Sequence, residues 1–457
     1  MEKITGDPPP RPAASPARPL SPECDPAPAN TPTARDGPPL DRRAVAATVV
    51  GNALEFYDFL TYSFFAVYIG RAFFPTGSEF ASLLLSLATF GVGFFTRPLG
   101  ALLIGAYADR AGRRPALILT ISLMTVGTLG LVLTPSYAAI GIAAPVTLVI
   151  ARLIQGLALG GEVGPSTAVL LECAPPGRRG LYTSWQSGSQ GAAIFAAGLI
   201  GVPLAALLSK EQLADWGWRV PFALGLLIVP VALYIRRRLP ETLLAPGTRG
   251  SADVMRLLWR HHRRSMTLAI LVIMSATIST YVNNYMTTFA LTTLGLPASK
   301  AMLATLVLGA AILVGAGLGG RLSDRFGRKP VMIASRIAAM LATYPAFLFL
   351  VSEKSVGALV FVTALLGLLV VVSSVASLVA LSEIFPNEVR SSGLALSYAV
   401  SVSVFGGTTQ FVIAWLIGIT GDPLSPAYYA ILTSAITLWA MFQLPETFKT
   451  GSGLLPA

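Results

Sequence analysis

Five ionisable side chains, Glu55, Asp58, Arg97, Arg152 and Glu162, stand inside long apolar stretches of the chain. An ionisable group at mid-membrane costs about 2.5–3.5 kcal/mol on insertion scales, so such groups mark a function. Glu55 and Asp58 are three positions apart, on one face of a helix. Two carboxylates this close do not readily ionise together, which suits groups that take up and release a proton. The two histidines, His261 and His262, fall outside the apolar stretches, so any proton carried within them is carried by carboxylates. The alternative for Glu55, Asp58 and Arg97 is a static charge network joining two helices, and Arg152 and Glu162 are open to the same structural reading. Helical rise places Glu55, Arg97 and Glu162 about 15–18 Å from one surface, with Gln190 in the same layer and Arg152 about 30 Å away.

Neutral polar residues supply the complementary chemistry. Gln186 and Gln190 share a helix face, Asn283, Asn284 and Tyr285 cluster in the second half, and Thr408, Thr409 and Gln410 follow later. With Gln155 they form the candidate solute-binding set, beside Arg97 and Arg152. Each is also a candidate for a helix–helix hydrogen bond. Since Arg336 lies only seven positions beyond Lys329, its long side chain is expected to snorkel to the surface. The second half would then offer polarity without buried charge. Gly156 and Gly160 form a G-x-x-x-G expected to serve close packing.

The elements that must hold these groups follow from composition. Of 457 residues, 54% are hydrophobic and 12% charged, about half the charge of a soluble globular chain. Stretches long enough to cross a hydrocarbon core of about 30 Å lie near 44–68, 80–107, 115–134, 144–170, 182–208 and 219–236. A second six lie near 265–290, 300–322, 330–351, 357–382, 392–417 and 427–444. These are spans 1 to 12, and the fold class is an all-α membrane protein.

The chain repeats itself. GAYADRAGRRP at Gly105 to Pro115 recurs as GRLSDRFGRKP at Gly320 to Pro330; Glu172, Pro175 and Arg179 recur as Glu383, Pro386 and Arg390; and Pro240-Glu241-Thr242 recurs as Pro445-Glu446-Thr447. Three markers in one order imply two copies of a six-span unit.

The net charge of +11 does not point to nucleic acid, because the basic residues alternate with the spans. Arg110, Arg113, Arg178, Arg179, Arg325, Arg328 and Arg390 fall in loops on one side, which the positive-inside rule makes cytoplasmic, with both termini inside. In these loops Asp109 and Asp324 are expected to latch onto the positive N-terminal ends of spans 11 and 5. Arg110 and Arg113 are expected to pair with Glu383 or Glu446, and Arg325 and Arg328 with Glu172 or Glu241, closing that side. Residues 1–40, rich in Pro and Ala, read as a disordered tail without a signal peptide. Residues 239–264 read as a linker, and 449–457 as a short tail. Cys24 and Cys173 are poorly placed for a disulfide. The sequence holds no nucleophile–base pair, metal-ligand cluster or phosphate loop, so neither an enzyme nor a cofactor or metal is expected.

The paired G-x-x-x-D-R-x-G-R-[RK] loops and P-E-T ends resemble the major facilitator superfamily over residues 43 to 448. GNALEFYDF, RPLGALLIGAYADRAGRR, RLIQGLALGGE and WGWRVPF are similar to its metabolite–proton symporter branch. SEFASLLLSLATFGVGF, GLYTSWQSGSQ and LSEIFPNEVRSSGLALSYA resemble citrate–proton symporters and tricarballylate transporters. The resemblance implies two pseudo-symmetric six-helix bundles, 41–238 and 265–448, around a central site with alternating access, working as a monomer in the inner membrane. It also implies uptake of an organic anion with protons. Glu55, Asp58, Arg97, Arg152 and Glu162 match the family's charged positions. The chain departs from the citrate pattern in TYVNNYMTTFALTTLGL of span 7, and in Thr-Thr-Gln of span 11 where proline is common. Dicarboxylates of four or five carbons, a zwitterion such as betaine or proline, drug-type efflux and a non-transporting sensor stay open as alternatives. Because two buried arginines cannot neutralise a fully ionised tricarboxylate, such a solute would enter partly protonated.

Overall fold

A computed structural model describes residues 42–448 apart from 112, 161–166, 168–169, 172–173, 176, 238–259, 261 and 387–389. The proposed tails and most of the proposed linker therefore lie outside the described residues. Twelve spans follow one another. Span 1 comprises Arg42–Phe64 and Ala66–Phe73, span 2 Glu79–Phe95 and Arg97–Ala111, span 3 Arg113–Leu133, span 4 Ala143–Leu159, span 5 Arg179–Leu207 and span 6 Val220–Arg237. Span 7 comprises Arg263–Asn284 and Met286–Thr292, followed by spans 8 (Ala298–Phe326), 9 (Arg328–Glu353), 10 (Val356–Ile384), 11 (Arg390–Ser401, Val402–Gly406 and Gly407–Thr420) and 12 (Ser425–Gln443). Among the described residues, seven helices are long and apolar enough to cross a membrane, and Ile118–Leu133 and Ala143–Leu159 are shorter apolar helices. Large apolar side chains face outward, Leu133 at 71% and Leu227 at 72% exposure, as a lipid-facing surface requires.

Local chemistry sets where the spans begin. Ser78 and Ser355 cap spans 2 and 10, their hydroxyls accepting from the N–H of Ala81 and Ala358; each satisfies a backbone donor that the first helical turn leaves over. Between spans 8 and 9, Gly327 has φ +99°, a conformation open to glycine and strained for other residues.

Four spans are interrupted. Span 1 breaks at Phe65, span 2 at Thr96 before Arg97-Pro98 and span 7 at Tyr285, while span 11 carries a π-helical turn over Val402–Gly406. The Thr96 hydroxyl contacts the carbonyl oxygens of Gly93 and, at 2.9 Å, Leu153, tying the break to span 4. Interrupted helices in membrane carriers gather around the transported species, and π-turns recur at functional sites.

Glycines set the closest approaches. A Cβ at Gly156 would collide with the carbonyl of Gly93, and one at Gly160 with that of Arg97, so the G-x-x-x-G of span 4 locks against span 2 as expected. Spans 5 and 8, from the two sequence repeats, run in contact from Gly180 and Gly320 to Gly198 and Leu306. Gly91 of span 2 meets Gly407 of span 11 backbone to backbone.

Candidate functional site

A cavity of about 120 Å³ lies between the two halves of the sequence. Gln186 and Gln190 of span 5 face Asn283 and Asn284 of span 7 across it, with Tyr281 and Tyr398 completing the polar wall. Phe56 and Leu60 of span 1 supply an apolar side. Asn283 Oδ1 and both polar atoms of the Asn284 amide are buried without a hydrogen-bond partner, so a solute group here would satisfy atoms that are costly to leave unpaired. Gln186 is held from behind, its Nε2 donating to Asn52 Oδ1 at 3.1 Å while Asn52 Nδ2 donates to Ser189 Oγ at 2.6 Å.

Four of the candidate solute residues therefore meet: Gln186, Gln190, Asn283 and Asn284. The others do not line the cavity. Tyr285 packs in an apolar cluster at the break of span 7, Thr408 bonds its own helix at the Val404 carbonyl, and Gln410 Nε2 donates to Ser63 Oγ at 2.9 Å, joining span 11 to span 1. No acidic or basic side chain among the described residues lines the cavity.

The charged set instead occupies the interior of the first six spans. Asp58 is 6% exposed and Glu55 3%. A continuous chain links acid to base: Thr128 Oγ1 donates to Asp58 Oδ2 at 2.9 Å, Gln155 Nε2 donates to Thr128 Oγ1 at 2.9 Å, and Arg152 Nη1 donates to Gln155 Oε1 at 2.7 Å. Gln155, counted with the solute residues on sequence, is the middle of this chain. Arg152 stacks over Tyr62 at 3.8 Å and Arg97 over Phe94 at 4.1 Å, and both lie near the Phe59 ring, at 5.6 and 4.5 Å. Aromatic faces carry the partial negative charge that a buried cation seeks. Phe94 in turn packs edge-on against Tyr281, with 5.4 Å between ring centroids, so one aromatic ring links Arg97 to the cavity wall. Glu162 lies outside the described residues.

The end bearing the basic loops carries a third constellation. Asp324 of span 8 accepts from the N–H groups of Gly180 and Leu181, the first turn of span 5. Glu446 does the same for span 9, accepting from Arg328 N at 3.1 Å and Lys329 N at 2.9 Å. Glu383 gathers Arg328 Nε at 3.4 Å, Arg179 Nη1 at 3.7 Å and the Thr447 hydroxyl at 2.6 Å. Arg328 thus pairs with Glu383 and Asp324 of its own repeat, while Glu172 and Glu241, its expected partners, lie outside the described residues. Arg325 stacks on Phe326 at 5.2 Å. The side chains of Asp109, Arg110, Arg113 and Arg390, and all of Glu172, lie outside the description.

Two expectations need correction. Arg336 does not reach the surface; it is fully buried and bonded to Ser279 and Ser275 of span 7. Those hydroxyls compensate part of its desolvation, so its stem is not drawn to the surface, and the second half does hold a buried charge. Sequence reading also passed over Asn52, Thr128, Tyr281 and Tyr398. The helical spacing of Thr277, Tyr281 and Asn284 along span 7 was the available signal for the cavity wall.

Residues 48–408 and 268–452 match the Major Facilitator Superfamily. The chain belongs to that superfamily. It is 41% identical over 84% of its length to a citrate-proton symporter of Klebsiella pneumoniae, of which it covers 88%. It is 33% identical over 89% of its length to a proline/betaine transporter of Salmonella typhimurium, covering 84% of that protein. Among solved structures it resembles that of a D-xylose-proton symporter with TM-score 0.74 at 21% identity, over 90% of this chain and 99% of the other, a likeness of fold alone. The superfamily member is thus a multi-pass membrane protein of twelve helices.

Proposed function

We propose that this chain is a proton-coupled symporter that takes up an organic anion of the citrate type across the cytoplasmic membrane, with the basic loops and both termini in the cytoplasm. The observation that carries the mechanism is the chain from Asp58 through Thr128 and Gln155 to Arg152, a carboxyl group and a guanidinium joined by hydrogen bonds, none of whose residues lines the solute cavity. Proton occupancy of Asp58, with Glu55 one turn away, changes the charge balance around Arg152 and Arg97. Arg97 relays it through the Phe94 ring to Tyr281 on the cavity wall. The solute's carboxylates are drawn by these two cations, and its polar groups are fitted by Gln186, Gln190, Asn283 and Asn284. The six-helix bundles 41–238 and 265–448 rock about the cavity, and the Asp324 and Glu383 bonds break when the cytoplasmic side opens. The likeness to citrate-proton symporters supports the solute class.

A second reading, a zwitterion such as betaine or proline, is favoured by the uncharged cavity lining and by the proline/betaine relative. Uptake of radiolabelled citrate into proteoliposomes under an inward proton gradient, with tricarballylate, a C4 dicarboxylate and betaine as competitors, separates them. Citrate uptake competed by tricarballylate supports the first reading; betaine accumulation without citrate uptake supports the second.

A further inference from the structure

We propose that Arg336, with Ser275, Ser279 and Ser434, forms a binding site for a small monovalent anion of the chloride class inside the second six spans. Arg336 is 0% exposed. Its Nη1 donates to Ser279 Oγ at 3.0 Å and to Ser275 Oγ at 3.4 Å, and Ser275 Oγ lies 3.2 Å from Ser434 Oγ of span 12. Its Nε and Nη2 are buried without a hydrogen-bond partner. These two groups form the edge of a guanidinium that grips an anion with two parallel N–H bonds.

No described carboxylate is available to that edge. Asp324, Glu383 and Glu446 serve Arg328 and the ends of spans 5 and 9, while Glu353 and Asp422 lie at the opposite ends of spans 9 and 11. A buried cation without a counter-charge is strongly destabilising, and an ionisable group within a span is there for a purpose. The groups gathered around this guanidinium can all donate: Nε and Nη2 are free, the Ser279 hydroxyl accepts from Nη1 and keeps its own hydrogen, and the Ser275–Ser434 pair keeps one hydroxyl hydrogen beyond the bond that joins them. A halide needs donors alone, balances one positive charge with one negative, and sheds its water more cheaply than a polyvalent anion. Eight residues of helix, about 12 Å, separate Arg336 from the basic end of span 9. Ser275 and Ser279 do not line the solute cavity, so the site is distinct from it.

The test uses the full chain purified in detergent with methanesulfonate as the background anion. Radioactive chloride in equilibrium dialysis is expected to bind saturably at one site per chain, and Tm to rise with chloride along the same curve. Arg336→Met is expected to abolish both. If that variant fails to fold, Ser279→Ala provides the check, weakening chloride binding several-fold. Absence of saturable binding to the unaltered protein, binding undiminished in the folded variants, or displacement of chloride by citrate in simple competition would each overturn the proposal.

Discussion

Asp324 caps a helix of the other sequence repeat: its Oδ1 accepts from the N–H of Gly180 at 2.7 Å and its Oδ2 from that of Leu181 at 2.9 Å. The first turn of a helix exposes N–H groups and the positive end of its dipole, so a carboxylate there is a directional latch. Hydrogen bonds to charged groups contribute about 1.5–3 kcal/mol. Asp324→Asn is therefore expected to raise the population opened at the basic end. With Cys24 and Cys173 replaced by serine, a cysteine at Ser377 in the cavity should react faster with an impermeant maleimide from that side; an unchanged rate would count against the latch.

Packing of spans 2 and 4 gives a stability prediction. A methyl group at Gly156 meets the Gly93 carbonyl and the Thr96 hydroxyl, and overpacking of this kind costs about 1–3 kcal/mol. Gly156→Ala should lower the Tm of the detergent-solubilised protein. A Tm equal to that of the unaltered protein would show that the two spans are not in this register.

Thr128 links Asp58 to Gln155. Thr128→Val keeps the shape and removes the hydroxyl, so it is expected to slow proton-driven uptake about tenfold, the rate equivalent of 1.4 kcal/mol. Thr125→Val is the control, since among the described residues Thr125 bonds only the Ile121 carbonyl of its own helix, at 2.7 Å. Equal uptake by the two variants would remove the chain from the mechanism.

Asn284 presents unpaired amide atoms to the cavity. Asn284→Ala should raise KM several-fold, as loss of a neutral hydrogen bond worth about 1 kcal/mol implies, with little change in maximal rate if the contact is equal throughout the cycle. A loss of maximal rate at constant KM would place Asn284 in the conformational change instead.

The spans, the repeat and the packing role of Gly156 and Gly160 were legible because membrane insertion imposes length and apolarity on each helix, and close helix approach demands small residues. The latch of Asp324 on span 5 was legible too, since it depends on loop position and helix polarity alone. Rotation of each helix was not. Glu55 and Asp58 turn away from the cavity that Phe56 and Leu60 line, and Gln155 turns toward Thr128, because neighbouring helices decide which face is central. The burial of Arg336 escaped the sequence for the same reason. Its serine partners lie on span 7, and Ser434 on span 12, far away in the chain.

The central claim is that the buried carboxylates of span 1 couple protons to the solute without lining its cavity. The direct measurement is transport of radiolabelled citrate by Asp58→Asn in proteoliposomes, comparing accumulation under an inward proton gradient with exchange between equal pools. The account predicts that accumulation is lost while exchange persists. Gradient-driven accumulation at the level of the unaltered protein would contradict it.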